Sequence, residues 1–548
     1  MLWIGFFLIV STLFAGWRAW RRLRYFLHIF QLEGYKPNEY RSWVGARFGS
    51  VVLRLSHRLA LVLLALAFFG FFFGPAFWTA VVAAPLWGVL FASSRLYRSG
   101  RQKKPLAYTA RMKRLLATAA VLTALPVVLG AVLWAAGGME AMFWYFAGWF
   151  AADFGAPLWV LLAAYAMKPV ERSFQEGFKR QARAALRARS GLTVVGITGS
   201  YGKTSVKFIL AEILRQRYNV LATPSSYNTP MGICTVVNNR LRSEHQVLVL
   251  EMGMRYRGDI RELCEIARPD VSVVTSVGVA HLETMGSVEN IAREKGDILE
   301  HMKPDGIAVL NADDERVAAM AARAPGRVWR VSARGRADAD VSAREVTYGP
   351  DGASFTVRDD TGAEQVFRTK LLGEHNVLNI LLGVAVGRAM GLRLRQIAYA
   401  VERVQPVEHR LALRREGAVT VIDDAFNSNP VGARNAVEIL GRFGPGRRVI
   451  VTPGMVELGE RQWEENHTFG EHIARNAIDL AVLVGDEQTR PIQAGLQAQG
   501  FPDEKVRVVS SLFEAQAFLK TYLQPGDVVL YENDLPDQYD VPSASAAA

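Results

Sequence analysis

The segment Gly199-Ser200-Tyr201-Gly202-Lys203-Thr204 brings glycines, a lysine and a hydroxyl close together. Glycines let backbone N–H groups close on phosphate oxygens, and a helix starting just beyond them adds the positive end of its dipole. Lys203 would reach the β- and γ-phosphates of a nucleotide, and the Thr204 hydroxyl would reach Mg²⁺. The strict pattern G-x-x-x-x-G-K-[ST] is missed by one position, because residue 197 is Ile and the upstream glycine is Gly196. Downstream, Glu251, His281 and Asn311-Ala-Asp313-Asp314 each follow an apolar run. Glu251 suits Mg²⁺ beside a triphosphate, with His281 as a less usual partner. On its local pattern alone Lys295, in Ile291-Ala-Arg-Glu-Lys-Gly296, reads as a surface lysine.

The elements that must position these residues follow from periodicity. Residues 192–198, 246–251, 271–277 and 307–310 are apolar, largely β-branched runs separated by helical stretches, the first of them at 203–217. That alternation predicts a parallel α/β sheet, whose ligands bind at the carboxyl ends of the strands. The named polar residues fall at those ends. The alternation resumes over 419–532, which predicts a second α/β domain, and residues 340–372 read as a short β-rich insertion.

Charge divides the chain differently. Residues 1–167 hold 17 Lys/Arg and the acids Glu33, Glu39, Glu140 and Asp153, so the remainder holds 64 − 17 = 47 Lys/Arg against 52 − 4 = 48 acids. The net charge of +12 therefore belongs to the first third, which argues against nucleic acid as a partner. Apolar runs at 2–17, 59–92 (two short spans), 115–136 and 142–167 predict five transmembrane helices. Basic loops at 18–58 and 95–114 would place the catalytic region on the cytoplasmic side of the plasma membrane, multi-pass, with membrane lipids as partners. Asp153 reads either as a functional intramembrane acid or as an acid at a helix–helix contact. Residues 168–190 read as a basic helix on the membrane surface or as a solvated linker, and 543–548 as a disordered tail. Cys234 and Cys264 offer neither a disulfide framework nor zinc spacing.

The spaced motifs together resemble the Mur ligase family of ATP-dependent amide ligases over roughly 192–527. They are Thr198–Thr204, Tyr227-Asn228-Thr-Pro-Met-Gly232, Glu251-Met-Gly253, Ala280-His-Leu282, Glu294-Lys295-Gly296, Asn311–Asp314, Gly373-Glu-His-Asn-Val-Leu-Asn379, His409-Arg410, Asp423–Pro430 and Glu457-Leu-Gly459. The chain looks most like the branch that adds D-alanyl-D-alanine to a muramoyl tripeptide. The resemblance implies an α/β fold with a P-loop ATP-binding central domain (192–410) and a Rossmann-like C-terminal domain (411–542), preceded by the membrane region (1–167) and basic linker (168–191) read from composition. It implies ATP bound by Gly199, Ser200, Gly202, Lys203, Thr204, Asn311, Asn379, Arg410 and Asp424. It also implies two Mg²⁺ ions, held by Thr204, Glu251, His281 and a carbamylated Lys295, and substrate contacts from Asn228 and Asn427. Lys203, Glu251, His281 and Lys295 would carry the chemistry. A substrate carboxylate takes the γ-phosphate, and an amine then displaces phosphate from the acyl phosphate.

Two departures bear on the substrates. Soluble members of the family carry an N-terminal UDP-holding domain where this chain has apolar helices, which points to a lipid-linked or polymeric acyl donor and to partners in envelope synthesis. The branch's Lys-Gly-Ser motif after the last strand is replaced by Glu532-Asn-Asp-Leu-Pro-Asp537, which points to a different amine, a cationic one, or to a lost contact. Two other functions fit the same residues, a synthase of a poly-γ-glutamate-like polymer and a nucleotide-binding membrane scaffold.

Overall fold

The computed structural model describes residues 2–73, 105–224, 227–349, 352–425, 428–456 and 458–533. They form two compact units, one of residues up to Phe174 and one from Gln175 onward.

The first unit is built from the helices Leu2–Leu32, Pro37–Ala46, Leu55–Phe73, Ala110–Gly137 and Met142–Phe154, with the start of Ala156–Arg187. Leu23, Phe26, Phe30, Tyr40, Met112 and Val160 form its main core. Two helices meet backbone to backbone: a Cβ at Gly130 would lie 2.3 Å from the Trp144 carbonyl oxygen, and one at Gly148 would lie 2.4 Å from that of Pro126.

The described residues bear out fewer spans than the five expected. The span expected at 2–17 does not stop at its basic cluster. Its helix runs on to Leu32 because Arg18 and Arg22 are buried and partnered within the unit. Arg18 Nε donates to Asp153 Oδ2 at 3.0 Å, His57 Nε2 lies 2.9 Å from the same oxygen, and Arg22 Nη2 donates to Val52 O at 2.9 Å. Asp153 thus sits at a helix–helix contact. The span expected at 142–167 breaks at Gly155, where Met142–Phe154 and Ala156–Arg187 meet at 68°. Pro157 lacks an N–H, and its ring crowds the carbonyl four residues back. Much of 59–92 lies outside the described residues, as does 543–548. Among the described residues one helix, Ala110–Gly137, is long and apolar enough to cross a membrane, and a second only if the bent pair counts as one span. Multi-pass placement in the plasma membrane is corrected on that ground.

The second unit holds two sheets. The first contains β1 (Thr193–Thr198), β2 (Val220–Ala222), β3 (Val247–Glu251), β4 (Val271–Val274), β5 (Ile307–Asn311), β6 (Arg327–Ser332), β7 (Val341–Gly349), β8 (Gly352–Arg358) and β9 (Glu364–Thr369). Their order is β2-β3-β1-β4-β5-β6-β7-β8-β9. The pairs are parallel up to β7, while β7-β8-β9 run antiparallel and form the β-rich insertion. The central strands are apolar without alternation because helices cover both faces. Lys203–Leu214, Glu374–Ala389 and Leu394–Arg403 pack on one face, and Pro230–Arg240, Asp259–Ile266 and Val288–Glu300 on the other. Cys234 and Cys264 are free, buried thiols in that second layer.

The second sheet contains β10 (Ala412–Glu416), β11 (Val419–Asp424), β12 (Arg448–Thr452), β13 (Leu480–Val484), β14 (Val506–Val509) and β15 (Val528–Glu532), in the order β10-β11-β15-β12-β13-β14. It is parallel except for the β10–β11 pair. Parallel pairing of β11 with β15 sets Asp424 opposite Glu532 at the carboxyl edge.

Candidate active site

The site grows from the end of β1. Gly199 has φ +151°, and a Cβ there would lie 1.8 Å from Thr275 Oγ1; Gly202 has φ +80°, and a Cβ there would lie 2.5 Å from Asn379 Oδ1. Only glycine fits such backbone so close to its neighbours. The loop is pinned by Ser200 N to Ser276 O (2.8 Å), Gly278 N to Ser200 Oγ (2.8 Å) and Tyr201 N to Ser276 Oγ (3.0 Å). The helix Lys203–Leu214 starts at once, with its first N–H groups facing the loop.

Lys203 Nζ donates to Gly199 O at 2.7 Å. Burial pulls its pKa down, Glu251 opposes that and Arg410 adds to it. Thr204 Oγ1 donates to Glu251 Oε2 at 2.9 Å, and Arg410 Nη2 lies 3.4 Å from the same hydroxyl. Glu251, at the end of β3, also accepts from Lys207 Nζ (3.1 Å) and from Asn228 Nδ2 (3.1 Å). Burial works against its charge, but Lys203 and Lys207 outweigh burial and hold the carboxyl below its ordinary value.

His281 stands in left-handed conformation, φ +65°, before the short helix Leu282–Met285. Burial, then the charges of Lys203, Lys295 and Arg255, push its pKa down to about 3, so the imidazole is neutral. Lys295 is 1% exposed on Val288–Glu300, so the surface reading given by its local pattern is corrected. Burial and Lys203 hold its pKa well below that of an ordinary lysine. Its neighbour Glu294 is committed elsewhere, accepting from Gly258 N and Ile260 N at 2.9 Å each.

Of the remaining nucleotide candidates, Asn311 and Asn379 are buried, Arg410 and Asp424 are half-buried, and all four are engaged. Asn311 Nδ2 donates to Thr275 O at 2.9 Å, and Asn379 Nδ2 to Asn376 Oδ1 at 3.0 Å. Arg410 is pulled down by burial against the charges of Glu251 and Asp424. Asp424 is pushed up to about 6, chiefly by burial, and accepts from Leu411 N at 3.2 Å. Lys203, Glu251, His281 and Lys295 therefore form one electrostatic group, with Thr204, Asn228 and Arg410 in hydrogen-bond contact with it. Asn427 lies outside the described residues, as does Glu457.

Sequence reading missed Lys207. It is fully buried on Glu251, four residues after Lys203 and so on the same helix face. That spacing was the available signal. It also missed His375, whose imidazole burial holds down to about 4.

The donor set fits Mg²⁺ in a nucleotide site. Among the described residues no three His, Cys, Asp or Glu side chains gather to hold a metal unaided. Mg²⁺ beside a triphosphate needs only one or two protein oxygens, the rest coming from phosphate and water. Thr204 and Glu251 supply such a pair.

The chain matches the Mur ligase middle domain over residues 197–387 and the Mur ligase, glutamate ligase domain over 409–531. It is 36% identical over 370 residues to the UDP-N-acetylmuramoyl-tripeptide–D-alanyl-D-alanine ligase of Mycobacterium bovis, a match spanning 63% of this chain and 71% of that one. It is 31% identical over 313 residues to the enzyme of that name from Escherichia coli, spanning 57% and 68%. Among solved structures it is similar to MurF ligase from Thermotoga maritima in complex with ADP, with TM-score 0.59, 28% identity, and coverage of 67% of this chain and 81% of that one.

Proposed function

The chain belongs to the Mur ligase family of ATP-dependent, ADP-forming ligases that use Mg²⁺, and from that premise we propose that it joins a peptide carboxylate to D-alanyl-D-alanine in peptidoglycan precursor synthesis. The observation that carries this reading is the excess of cations at the carboxyl edge of the first sheet. Lys203, Lys207, Lys295 and Arg410 outnumber the carboxylates whose charges act on them, Glu251, Glu294 and Asp424, and burial pulls all four cations down. Such a site is short of anion, and a triphosphate beside a substrate carboxylate supplies it.

Each residue then has a role. The Gly199–Gly202 loop and Lys203 hold the phosphates, and Arg410 and Asp424 approach the nucleotide from the second sheet. Thr204 and Glu251 would hold Mg²⁺, which would supply positive charge beside the triphosphate. Burial and the charge of Lys203 lower the Lys295 pKa, which favours the neutral amine that takes up CO₂. As a carbamate it would offer oxygen ligands beside the neutral His281. Asn228, hydrogen-bonded to Glu251, faces the acyl substrate, and Asn427 is the second substrate contact. The carboxylate attacks the γ-phosphorus and releases ADP. The amine then attacks the acyl carbon and releases inorganic phosphate.

The test is ADP release by the purified full chain, with product mass as the second readout. The arms are a UDP-linked muramoyl tripeptide and a lipid-linked one, each with and without D-alanyl-D-alanine, and glutamate alone. Release requiring both substrates, with a product heavier by one dipeptide, supports the reading. Release with glutamate that yields a mass ladder would replace it with a polymer synthase. No release in any arm would leave a nucleotide-binding scaffold.

A further inference from the structure

Lys207 sits one helical turn beyond Lys203, about 6 Å further along the helix axis from the phosphate loop. The two lysines serve different partners. Lys203 Nζ is held by the loop itself, donating to Gly199 O at 2.7 Å and to Ser200 O at 3.4 Å. Lys207 is fully buried, and its Nζ forms an ion pair with Glu251 Oε2 at 3.1 Å. The same oxygen accepts from Thr204 Oγ1 at 2.9 Å, and Oε1 accepts from Asn228 Nδ2 at 3.1 Å. Arg410 Nη2 lies 3.4 Å from the Thr204 hydroxyl. Both oxygens of the carboxylate are therefore engaged, and Lys207 and Arg410 both stand within hydrogen-bond reach of the Thr204–Glu251 pair.

That pair is the one that would hold Mg²⁺. A divalent ion arriving alone would meet a carboxylate whose charge Lys207 already offsets, with Arg410 beside it. Like charges so close, in a site withdrawn from water, repel strongly. A triphosphate reverses the balance, because it carries several negative charges of its own. We propose that Lys207 is a positioning residue that occupies Glu251 in the empty site, closing the Thr204–Glu251 pair to a free divalent ion and leaving it open to an ion that arrives with the nucleotide. The contact also spares the empty site a buried, uncompensated carboxylate. A lysine that served packing alone would have the opposite signature. Its loss would disorder Glu251 and weaken metal binding, whereas loss of a cation that competes with the metal strengthens it.

This role rests on the Mg²⁺–nucleotide part of the ligase reading. The probe is Mn²⁺, with the free ion counted by its paramagnetic resonance, titrated into the purified full chain with and without β,γ-methylene-ATP. Wild type, Lys207→Met, Lys207→Gln and Lys207→Arg are compared, with thermal unfolding of each, and Glu251→Gln added to each chain identifies the ions held at this site. Wild type should bind Mn²⁺ about 100-fold more tightly with the analogue than without it. Without nucleotide, Lys207→Met and Lys207→Gln should bind Mn²⁺ about tenfold or more tighter than wild type, and Lys207→Arg, which keeps the charge, should match wild type. Equal Mn²⁺ affinity of wild type with and without the analogue would overturn the proposal whatever the variants do. So would folded Lys207→Met and Lys207→Gln chains whose nucleotide-free affinity equals or falls below that of wild type. If the analogue does not bind wild type, the nucleotide reading fails and takes the opening by nucleotide with it, while the nucleotide-free titrations still decide whether Lys207 excludes the ion.

Discussion

The two sheets of the second unit share a parallel plan and carry opposite electrostatics at their carboxyl edges. At the edge of the first, burial pushes Lys203, Lys207 and Lys295 down. At the edge of the second it pushes Asp424 up to about 6 and Glu532 up to about 8. Desolvation is the leading cause in every case, so what differs is the sign of the group that each edge has withdrawn from water. The first edge has more cation than it can neutralise, and an anionic ligand removes the penalty. The second has two neighbouring carboxyls, and protons remove it. A parallel sheet therefore supplies a place for chemistry, and the side chains at its strand ends decide which partner that place is short of.

The strongest way to break this comparison is to remove a cation from the first edge. Lys203→Ala should lower kcat about 100- to 1,000-fold, the loss that follows from removing one preorganised charge-stabilising donor. The apo protein should be no less stable, and its unfolding midpoint should rise if repulsion among Lys203, Lys295 and Arg410 is as the structure implies. ADP release and thermal unfolding of the same preparation check both halves. A variant that keeps its activity, or one that unfolds several degrees earlier, would mean that Lys203 holds the loop together and does not serve a ligand.

The edges should also respond to pH with opposite slopes. For Glu532 the folded state keeps a proton that the unfolded chain gives up near 4.5, so the folded form binds more protons from there to about 8. Stability from this group falls as pH rises through that window, and Asp424 acts the same way between 3.8 and about 6. For Lys295 the folded pKa lies below 10.5, so the folded form binds fewer protons up to that value and stability rises with pH. His281 does likewise between about 3 and 6.5. Chemical unfolding across pH should therefore show Glu532→Gln flattening a decline, by on the order of 1 kcal/mol after relaxation of the buried site, and Lys295→Met flattening a rise. Equal slopes in the two variants would erase the distinction between the edges.

Much of the first edge was legible in the sequence because its signals are local. A β-branched run ending in Gly-Ser-Tyr-Gly-Lys-Thr fixes strand, turn and helix start at once, and Glu251 and Asn311 end their strands as expected. Lys295 was legible only by resemblance. A lysine in Ala-Arg-Glu-Lys-Gly has the pattern of an exposed helix position, and its burial follows from tertiary packing. The second edge was hidden for a related reason. Nothing local marks Glu532 as buried, since its partners Ser428 and Thr452 are 104 and 80 residues away in the chain. The spans expected in the first unit rested on composition, and the described residues bear out one or two of them. An apolar helix with arginines after it looks like a span with a cytoplasmic stop, until Asp153 and Val52 O turn out to be the partners of Arg18 and Arg22.

The comparison sharpens within a single strand. Asp527 precedes β15 and Glu532 ends it, and the two carboxyls have opposite fates. Asp527 accepts from Arg447 Nη2 at 2.6 Å, from Arg447 N at 3.0 Å and from Gln524 N at 2.8 Å, and these donors outweigh its burial to hold its pKa below the ordinary value. Among the described residues no cation acts on Glu532, and burial pushes it up. Arg447 is about one-third exposed and also lies over the Tyr522 ring at 4.3 Å, so solvent screens the pair and part of its contact is packing. Arg447→Ala should therefore cost less than about 1 kcal/mol. Because the folded pKa of Asp527 is depressed, that cost is present above its unfolded pKa and fades as pH falls through the folded one. Urea unfolding at neutral and acid pH would show the gap between wild type and variant closing in acid, with ADP release unchanged at neutral pH. A gap that stayed constant with pH would assign the whole effect to the lost packing on Tyr522, and the two ends of β15 would then differ in burial alone.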